Sequence, residues 1–316
     1  MTFEEISRRH RIVVLVPCYN EAAAIKAVVT DFRRHLPTAT VFAYDNNSTD
    51  DTIRIATEAG AIVRRETRQG KGHVVRRMFA DTDADIYVMV DGDDTYEAAA
   101  APRLIEMLVN EHLDIVNGAR IASADAAFRR GHRFGNRLLT GLVAAIFGRR
   151  NDDMLSGYKV MTRRMVKSFP VKSDGFEIET ELLVHALELN LPLGEYPTHY
   201  SERGEGSTSK LRTYRDGLRI LRLIGHLIRE ERPLQFFSAI AGVVLVACLV
   251  LGIPIVVEYS HTGLVPRLPS AVLAMGLGLT ALLSLTAGLV LDGVSRGRRE
   301  MRFLAYLSIP GPESGS

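Results

Sequence analysis

The chain has no tryptophan and only two cysteines, Cys18 and Cys248, among its 316 residues. One cysteine lies in a short strand-like run and the other in a long apolar segment, which argues against a disulfide-based scaffold and fits a reducing compartment. The first residues, MTFEEISRRHR, lack the apolar stretch that a cleaved signal peptide needs. We therefore expect the first domain to remain in the cytoplasm.

The chain also lacks a large net charge and the common nucleotide-binding motifs. Its formal net charge of +2 gives no whole-molecule basis for binding nucleic acid. The GKG at 70–72 does not have the longer glycine spacing of a P-loop, and no dinucleotide-binding fingerprint is present. With 47% hydrophobic and 24% charged residues, the chain can form one large or two modest domains with real cores.

Charge is absent from two long segments, residues 233–257 and 268–291. Roughly 20 apolar residues suffice to cross the hydrocarbon core of a bilayer, and buried helices of soluble proteins rarely run this long without a charge. Arginines flank both segments, so we predict a transmembrane hairpin with both ends cytoplasmic. The flanking arginines are Arg229, Arg232, Arg296, Arg298, Arg299 and Arg302, and the connection holds Glu258 and Arg267.

The first two-thirds of the chain alternates short apolar runs with amphipathic segments, which predicts an α/β fold with a mostly parallel sheet flanked by helices. Strands are expected near Ile12 to Pro17, Thr40 to Asp45, Ala61 to Glu66, Ile86 to Asp91 and Asp114 to Ala119. A helix is expected after the first strand, where Ile25, Val28, Val29 and Phe32 recur at helical spacing, with Asn20 as its cap.

Polar residues follow the first four predicted strands. The strands end in or lead to PCYNE, DNNSTDDT, RQGKGH and DGDD, and ligands of open parallel sheets bind outside the carboxyl ends of the strands. Each segment alone fits a capped turn, but four at one edge favour a binding site. In YVMVDGDDTYE, at 87–97, three carboxylates crowd the end of a strand, so a cation or a set of donors is expected there.

These segments, taken in order, resemble the inverting family 2 glycosyltransferases of GT-A fold, and within them the polyprenyl-phosphate glycosyltransferases similar to dolichol-phosphate mannose synthase. The matching pieces are VPCYNE at 16–21, DNNSTDDT at 45–52, GKG at 70–72, DGDD at 91–94, SGYKVMTRR at 156–164 and RGEGSTSKL at 203–211. They cover nearly the whole part of the chain before the apolar segments. The resemblance therefore implies a membrane-bound glycosyltransferase.

The resemblance also implies roles for individual residues. The donor nucleotide sugar would contact Pro17, Tyr19, Asn20, Glu21, Asp45, Lys71, Asp91 and Gly92. Asp91 and Asp93 would form the DXD-type pair that holds Mg²⁺ or Mn²⁺, with Asp93 the more direct ligand. Relatives often carry glutamine two positions after the second aspartate, where this chain has Thr95, so the third protein ligand is left open.

On the acceptor side, the resemblance implies that Arg120 lies near the acceptor phosphate. Arg133 is the second arginine expected there, with Arg137 as its alternative. Arg203 and Lys210 match a loop that closes over the donor diphosphate, and with Asp93 and Arg120 they form the expected catalytic set. The glutamates of DGFEIETELL, at 174–183, fit a site beside the donor sugar and an exposed acidic helix start equally well.

The acceptor class that the resemblance implies explains why no general base is required. A hydroxyl nucleophile would need a general base, whereas a phosphate monoester, with a second pKa of about 6, is already largely anionic at neutral pH. The resemblance implies transfer of one sugar from a UDP- or GDP-linked donor to a polyprenyl phosphate, and this chemistry agrees with it. The alternatives are a glycolipid or diacylglycerol hydroxyl as acceptor, and a non-catalytic sugar-nucleotide-binding scaffold. Processive polysaccharide synthases of the family use a QXXRW motif, so the absence of tryptophan disfavours that class.

The expected organisation is a catalytic domain at 1–210, a basic amphipathic interfacial helix at 211–232, a transmembrane hairpin at 233–294 and a cytoplasmic tail at 295–316. The apolar stretch at 138–147, bracketed by arginines, fits either a lipid-contacting segment or a core helix. Gly276, Gly278 and Gly288 permit close helix approach and hence a homo-oligomer through the hairpin. The expected location is the cytoplasmic face of a bacterial inner membrane.

Overall fold

The computed structural model describes residues 1–122, 141, 153–171, 175, 177–201, 229–230 and 232–312. Several sequence predictions lie outside these residues: Arg133, Arg137, Arg203, Lys210 and nearly all of the segments 138–147 and 211–232.

Short helices and strands alternate through the first part of the chain. The strands are β1 Ile12–Cys18, β2 Thr40–Asp45, β3 Ile62–Arg65, β4 Ile86–Met89, β5 Ile115–Ala122, β6 Lys159–Thr162 and β7 Leu193–Tyr200. The helices are α1 Phe3–Arg9, α2 Ile25–His35, α3 Thr52–Glu58, α4 Lys71–Asp81, α5 Ala101–Asn110, α6 Arg163–Ser168, α7 Ile178–Glu188, α8 Pro233–Thr262 and α9 Leu268–Leu307.

The strands form one seven-stranded sheet in the order β3-β2-β1-β4-β6-β5-β7. All neighbouring pairs are parallel except those of β6, which runs antiparallel to both β4 and β5. The carboxyl ends of the six parallel strands and the start of β6 therefore meet at one edge of the sheet. This edge, called the carboxyl edge below, carries the polar segments singled out from the sequence.

Helices cover both faces of the sheet, which explains why its central strands read as continuous apolar runs. On one face, Val14 and Val16 of β1 pack in a core with Phe32 of α2 and Leu104 of α5. Alternate residues point to opposite faces of a strand, and Val13 is also fully buried. The central strands are therefore buried on both sides, so the polar residues that could meet a ligand lie at their ends.

All five predicted strands are present, with ends shifted by a few residues. The antiparallel β6 and the edge strand β7 were not predicted, because neither shows a simple apolar run: β6 begins with Lys159, and β7 reads LGEYPTHY. The predicted cap at Asn20 is wrong. Helix α2 begins only at Ile25, and Asn20 lies in the preceding loop with a φ of 53°.

The chain divides into two compact units. The first contains Met1–Ile220 and Arg302–Ser316, and the second contains Leu221–Met301. Helices α8 and α9 have 30 and 40 residues and are long and apolar enough to cross a membrane. Only 11% and 17% of their most apolar windows are buried, unlike the core helices of a soluble protein, so these helices offer an apolar surface suited to lipid.

Two of the three glycines that we singled out for helix association contact the other helix of the same hairpin. A methyl group on Gly288 would lie 2.9 Å from Cβ of Phe237, and one on Gly278 would lie 3.4 Å from Sγ of Cys248. The small size of Gly288 thus serves packing of α9 on α8, whereas a methyl group on Gly278 would make an ordinary contact. Self-association of the protein stays a prediction.

Candidate active site

Side-chain hydrogen bonds join the loops that follow β1 and β2. The backbone N–H of Asn20 donates to Oγ of Ser48 at 2.9 Å, and Oδ1 of Asn20 accepts from the N–H of Thr49 at 2.8 Å. The N–H of Glu21 donates to Oγ1 of Thr52 at 2.9 Å. The predicted donor residues after β1 are therefore held in place by the DNNSTDDT segment.

Asp45, at the end of β2, belongs to the same hydrogen-bonded group as Asn20, Ser48 and Thr49. Its carboxylate is buried and accepts the N–H of Ser48 at 3.2 and 3.3 Å. The parallel register places Asp45 beside Cys18 and Tyr44 beside Pro17. Pro17 and Asp45 thus lie on neighbouring strands at the carboxyl edge, close to the loop that carries Tyr19, Asn20 and Glu21.

Asn46 connects this group to the next loop, a role that we did not predict from the sequence. Its amide nitrogen donates to the carbonyls of Glu66 at 2.9 Å and Arg68 at 2.7 Å, and its Oδ1 accepts the N–H of Gly70 at 2.8 Å. These bonds fix the loop that leads into α4. The adjacent asparagines of DNNS were a signal, but the sequence does not indicate which loop an asparagine will bind.

Lys71, at the start of α4, donates hydrogen bonds to the carboxylates of Asp91 and Glu179. All of its side chain but 9% is buried. Burial lowers the pKa of Lys71, but the negative charges of Asp91 and Glu179 outweigh it, so the pKa is raised and the ammonium group stays charged. Lys71 thus supplies the positive charge that the carboxylates after β4 require.

Glu179 is a buried member of this cluster and not an exposed acidic residue at a helix start. It lies in the first turn of α7, its side chain is 6% exposed, and burial raises its pKa while Lys71 opposes the rise. Its contact with Lys71 joins residues 108 positions apart. A pairing over that separation is not visible in a sequence pattern.

Asp93, the second aspartate of the DXD-type pair, is buried, and its orientation is fixed by Thr95. The hydroxyl of Thr95 donates to Oδ1 of Asp93 at 2.6 Å. Thr95 stands at the position where the family often carries glutamine, and here its hydroxyl holds the carboxylate of Asp93. Asp94 is exposed and has a φ of 57°, which is a turn conformation.

The two aspartates fit a divalent cation by their chemistry. Carboxylate oxygens are the ligands that Mg²⁺ and Mn²⁺ prefer. A methyl group on Gly157 would lie 2.3 Å from Oδ2 of Asp91, so the glycine lets the backbone before β6 approach this carboxylate closely. Among the described residues, no group of three or more histidine, cysteine, aspartate or glutamate side chains could hold a metal by itself.

Gly92 serves packing within the loop after β4. A methyl group added to it would lie 3.3 Å from Sγ of Cys18, from the carbonyl oxygen of Pro17 and from Cγ1 of Val16. The glycine thus lets the loop of the aspartate pair approach the end of β1, which brings Asp91 close to the predicted donor residues.

Arg120 lies near the carboxyl end of β5 and forms a two-bond ion pair with Asp153. Its Nε and Nη2 donate to Oδ2 and Oδ1 of Asp153 at 2.6 and 2.8 Å. The guanidinium carbon is 5.3 Å from the centre of the Tyr200 ring. Burial raises the pKa of Asp153, but the hydrogen bonds and charge of Arg120 outweigh it and hold the pKa below its ordinary value.

Tyr96 links the aspartate pair to Arg120. Its hydroxyl accepts the N–H of Gly157 at 2.7 Å, next to Asp91, and its ring packs edge-on against Tyr200 with centroids 5.3 Å apart. Burial raises the pKa of Tyr96, so its hydroxyl stays protonated. We did not predict this role, although Tyr96 belongs to the same YVMVDGDDTYE segment.

Lys159 is a fully buried lysine on β6, between β4 and β5. Its ammonium group donates to Oδ1 of Asn117 at 2.7 Å. Burial lowers its pKa to about 8, while the charges of Glu179 and Asp153 act in the opposite direction. The sheet thus carries a second cation close to the carboxylates of the site.

Two curated proteins of Haloferax volcanii resemble the chain over most of its length. Glycosyltransferase AglJ is 36% identical over 231 residues, which are 72% of this chain and 76% of that protein. A dolichyl-phosphate hexose transferase is 28% identical over 221 residues, or 70% of this chain and 95% of that protein. Both relatives carry names of sugar-transferring enzymes.

Among solved structures, the Mycobacterium tuberculosis glucosyl-3-phosphoglycerate synthase shares the fold. Its complex with Mn²⁺, uridine diphosphate and glucosyl-3-phosphoglycerate matches with a TM-score of 0.60 and 22% identity, over 73% of this chain and 84% of that one. Residues 13–169 match the family described as Glycosyl transferase family 2. This segment includes β1 to β6 and the aspartate pair. The chain therefore belongs to glycosyl transferase family 2, as a glycosyltransferase of GT-A fold that resembles the polyprenyl-phosphate glycosyltransferases.

Proposed function

We propose that the protein transfers one sugar from a nucleoside-diphosphate sugar to the phosphate of a membrane polyprenyl phosphate, with inversion at the anomeric carbon. The observation that carries this proposal is the link between the carboxylates after β4 and Arg120 near the end of β5. It runs through Gly157, Tyr96 and Tyr200. One side of the link suits a diphosphate with a divalent cation, and the other suits a second phosphate. Two helices of membrane-spanning length favour a lipid as the carrier of that phosphate.

On the donor side, the ends of β1 and β2 would bind the nucleotide. Pro17, Tyr19, Asn20, Glu21 and Asp45 lie there, held by the bonds to Ser48, Thr49 and Thr52. Solved structures with the same fold were crystallised with uridine diphosphate or UDP-glucose and Mn²⁺, which supports a UDP- or GDP-linked sugar as donor. Lys71 and Gly92 complete the expected donor set beside Asp91.

Asp91 and Asp93 would hold Mg²⁺ or Mn²⁺, with Asp93 the more direct ligand. The ion, when bound, supplies Lewis-acid stabilisation of the charge that develops on the leaving diphosphate. The protein's own contribution is orientation: Thr95 fixes Asp93 by its hydroxyl, and Lys71 fixes Asp91 by its ammonium group. Both carboxylates are thus in place before the donor binds, which lowers the cost of reorganisation.

On the acceptor side, Arg120 would bind the phosphate, together with Arg133 or Arg137. A phosphate monoester is already anionic at neutral pH, so positioning replaces general-base catalysis. The relative named dolichyl-phosphate hexose transferase supports a polyprenyl phosphate as acceptor. Arg203 and Lys210 would close over the diphosphate and open again for product release.

The catalytic domain, residues 1–210, would lie on the cytoplasmic face of a bacterial inner membrane. Arginines flank the segments 233–257 and 268–291 and are scarce in their connection, which favours a hairpin with both ends in the cytoplasm. The basic segment at 211–232 would lie in the membrane interface, and residues 295–316 would form the tail.

The test is an assay of the purified full-length protein with a panel of nucleotide sugars, Mg²⁺ or Mn²⁺, and undecaprenyl or dolichyl phosphate. A labelled polyprenyl-phosphate sugar is the expected product. Asp93→Ala should lower turnover at least about a hundredfold, because several kcal/mol of charge stabilisation are lost.

Asp94→Asn is the matched control, since Asp94 is the adjacent exposed carboxylate, and it should keep activity within about twofold. Product with a glycolipid or diacylglycerol acceptor, and none with a polyprenyl phosphate, would exclude the proposed acceptor. Binding of nucleotide sugar without any turnover would instead indicate a non-catalytic scaffold.

A further inference from the structure

Strand β5 carries an arginine–aspartate pair with two charge-assisted hydrogen bonds at each of its ends. At the carboxyl end, Arg120 pairs with Asp153 at 2.6 and 2.8 Å. At the amino end, Arg164 pairs with Asp114 at 2.5 and 3.1 Å. The two pairs have the same chemistry, but only the first lies at the edge of the sheet that carries the proposed active site.

Asp153 uses both carboxylate oxygens to hold the residues around it. Besides the guanidinium bonds, Oδ2 accepts the backbone N–H of Arg120 at 3.2 Å, and Oδ1 accepts the N–H of Leu155 at 3.2 Å. The aspartate side chain is only 7% exposed. Because both the backbone and the side chain of Arg120 bind one carboxylate, the plane of the guanidinium is defined and not merely its position.

A further layer holds Asp153 itself. Oε1 of Glu195, on β7, accepts the backbone N–H of Asp153 at 3.2 Å and the amide of Asn117 at 3.0 Å. The Asn117 amide also donates to the carbonyl oxygen of Asp153 at 2.8 Å. The aspartate is thus fixed by two neighbouring strands, and on another side the ring of Tyr200 lies near the guanidinium.

We propose that Asp153 is a positioning residue that orients the Arg120 guanidinium to receive the acceptor phosphate, an inference that rests on the proposed function. Arginine recognises phosphate through a planar fork of N–H groups, so a fixed plane gives binding geometry that a flexible side chain lacks. Ordering this long side chain before the acceptor arrives removes an entropic cost from binding. Asp153 therefore acts on the acceptor through Arg120 and not by contact with substrate.

The decisive experiment compares Asp153→Asn with the matched control Asp114→Asn in steady-state assays of the full-length enzyme. Asparagine keeps the shape of aspartate but loses the charge-assisted bonds. For Asp153→Asn, we expect the KM for polyprenyl phosphate to rise about tenfold and the KM for the nucleotide sugar to change less than about twofold. Asp114→Asn should lower the thermal midpoint and leave both KM values unchanged.

Two further variants separate positioning from folding. Asp153→Glu keeps the charge but displaces it by one methylene, so its acceptor KM should fall between those of the wild type and Asp153→Asn. Because Asp153 acts through Arg120, the double variant Arg120→Ala/Asp153→Asn should have an acceptor KM no higher than that of Arg120→Ala alone. Equal rises of donor and acceptor KM, or fully additive effects in the double variant, would overturn the positioning role.

A measurement without substrate tests whether Asp153 orients Arg120 independently of which acceptor the enzyme uses. Phenylglyoxal modifies accessible arginines, and peptide mass spectrometry gives the rate at Arg120, whose side chain is 14% exposed. Asp153→Asn should raise that rate several-fold, and Asp114→Asn should not. A raised rate in a protein that does not use polyprenyl phosphate would support the orienting contact and overturn the proposed function. An unchanged rate would overturn the orienting contact.

Discussion

At the scale of single residues, the chemistry of the site depends on which charge lies beside which. Lys71 lies between Asp91 and Glu179, and Arg120 is paired with Asp153. Lys71 thereby offsets part of the repulsion between the carboxylates at the end of β4, and Arg120 offsets the charge of Asp153. The site is a balanced set of buried charges, and removing one member leaves its partner without compensation.

Lys159 gives a prediction for the pH dependence of stability. Its folded-state pKa of about 8 lies below its ordinary value of 10.5, so between these pH values the unfolded chain binds a proton that the folded protein does not. The contribution of Lys159 to stability should therefore rise with pH across this window, by up to about 1.4 kcal/mol per pH unit.

The measurement is the free energy of unfolding of wild type and Lys159→Met at several pH values from about 7 to 10.5. Methionine has a similar shape and no titrating group, so it removes only this proton from the comparison. The wild type should gain stability relative to the variant above about pH 8. A constant difference across the range would mean that Lys159 titrates as an ordinary lysine.

At the scale of elements, the loop before β6 packs directly against the residues that follow β4. The antiparallel insertion of β6 between β4 and β5 places Gly157 directly beside Asp91. The N–H of Gly157 also donates to Tyr96, in the loop after β4. The loop after β4 and the loop before β6 thus both line the proposed metal site.

Gly157→Ala should displace the Asp91 carboxylate, because the new methyl group would lie 2.3 Å from its Oδ2. Overpacking of this kind costs about 1–3 kcal/mol, so we expect the Mn²⁺ concentration for half-maximal activity to rise about tenfold or more. Gly293→Ala is the control, since no described atom lies within 4 Å of a methyl group at that position. Equal Mn²⁺ dependence of both variants would show that the close contact with Asp91 is not required.

At the scale of the whole molecule, the chain returns to its catalytic unit after the apolar helices. Residues 302–316 belong to the same compact unit as β1 to β7. Arg302 pairs with Glu188 at the end of α7, and the hydroxyl of Tyr306 donates to Oδ2 of Asp114 at 2.8 Å. The segment following the second apolar span therefore contributes to the catalytic unit by direct contacts.

Tyr306→Phe tests this contribution. The variant removes one hydrogen bond to a fully buried carboxylate, Asp114, and should lower the free energy of unfolding by about 1–3 kcal/mol. Tyr259→Phe, at a site on α8 that is 55% exposed, should have no measurable effect. Both are compared by thermal unfolding in detergent. An unchanged midpoint for Tyr306→Phe would mean that the contact does not stabilise the unit.

The sequence by itself determined most of the elements, with strand ends placed to within a few residues. Strands β1 to β5 and the two long helices follow from local patterns of apolar and charged residues, since backbone period and segment length are properties of neighbouring residues. Placement of the aspartate pair at the carboxyl edge also follows, because parallel strands bring their ends together. The order of the motifs then sufficed for the resemblance to the family.

Only the tertiary structure decided how the charges are paired. Glu179 meets Lys71 across 108 positions of sequence, and Asp153 meets Arg120 across 33. The insertion of β6 decided that Lys159 is buried and that Gly157 adjoins Asp91. Such contacts depend on the order of the strands and on packing, which bring together residues that are far apart in the sequence. A local pattern identifies the charges of a site, and the fold decides which of them act on each other.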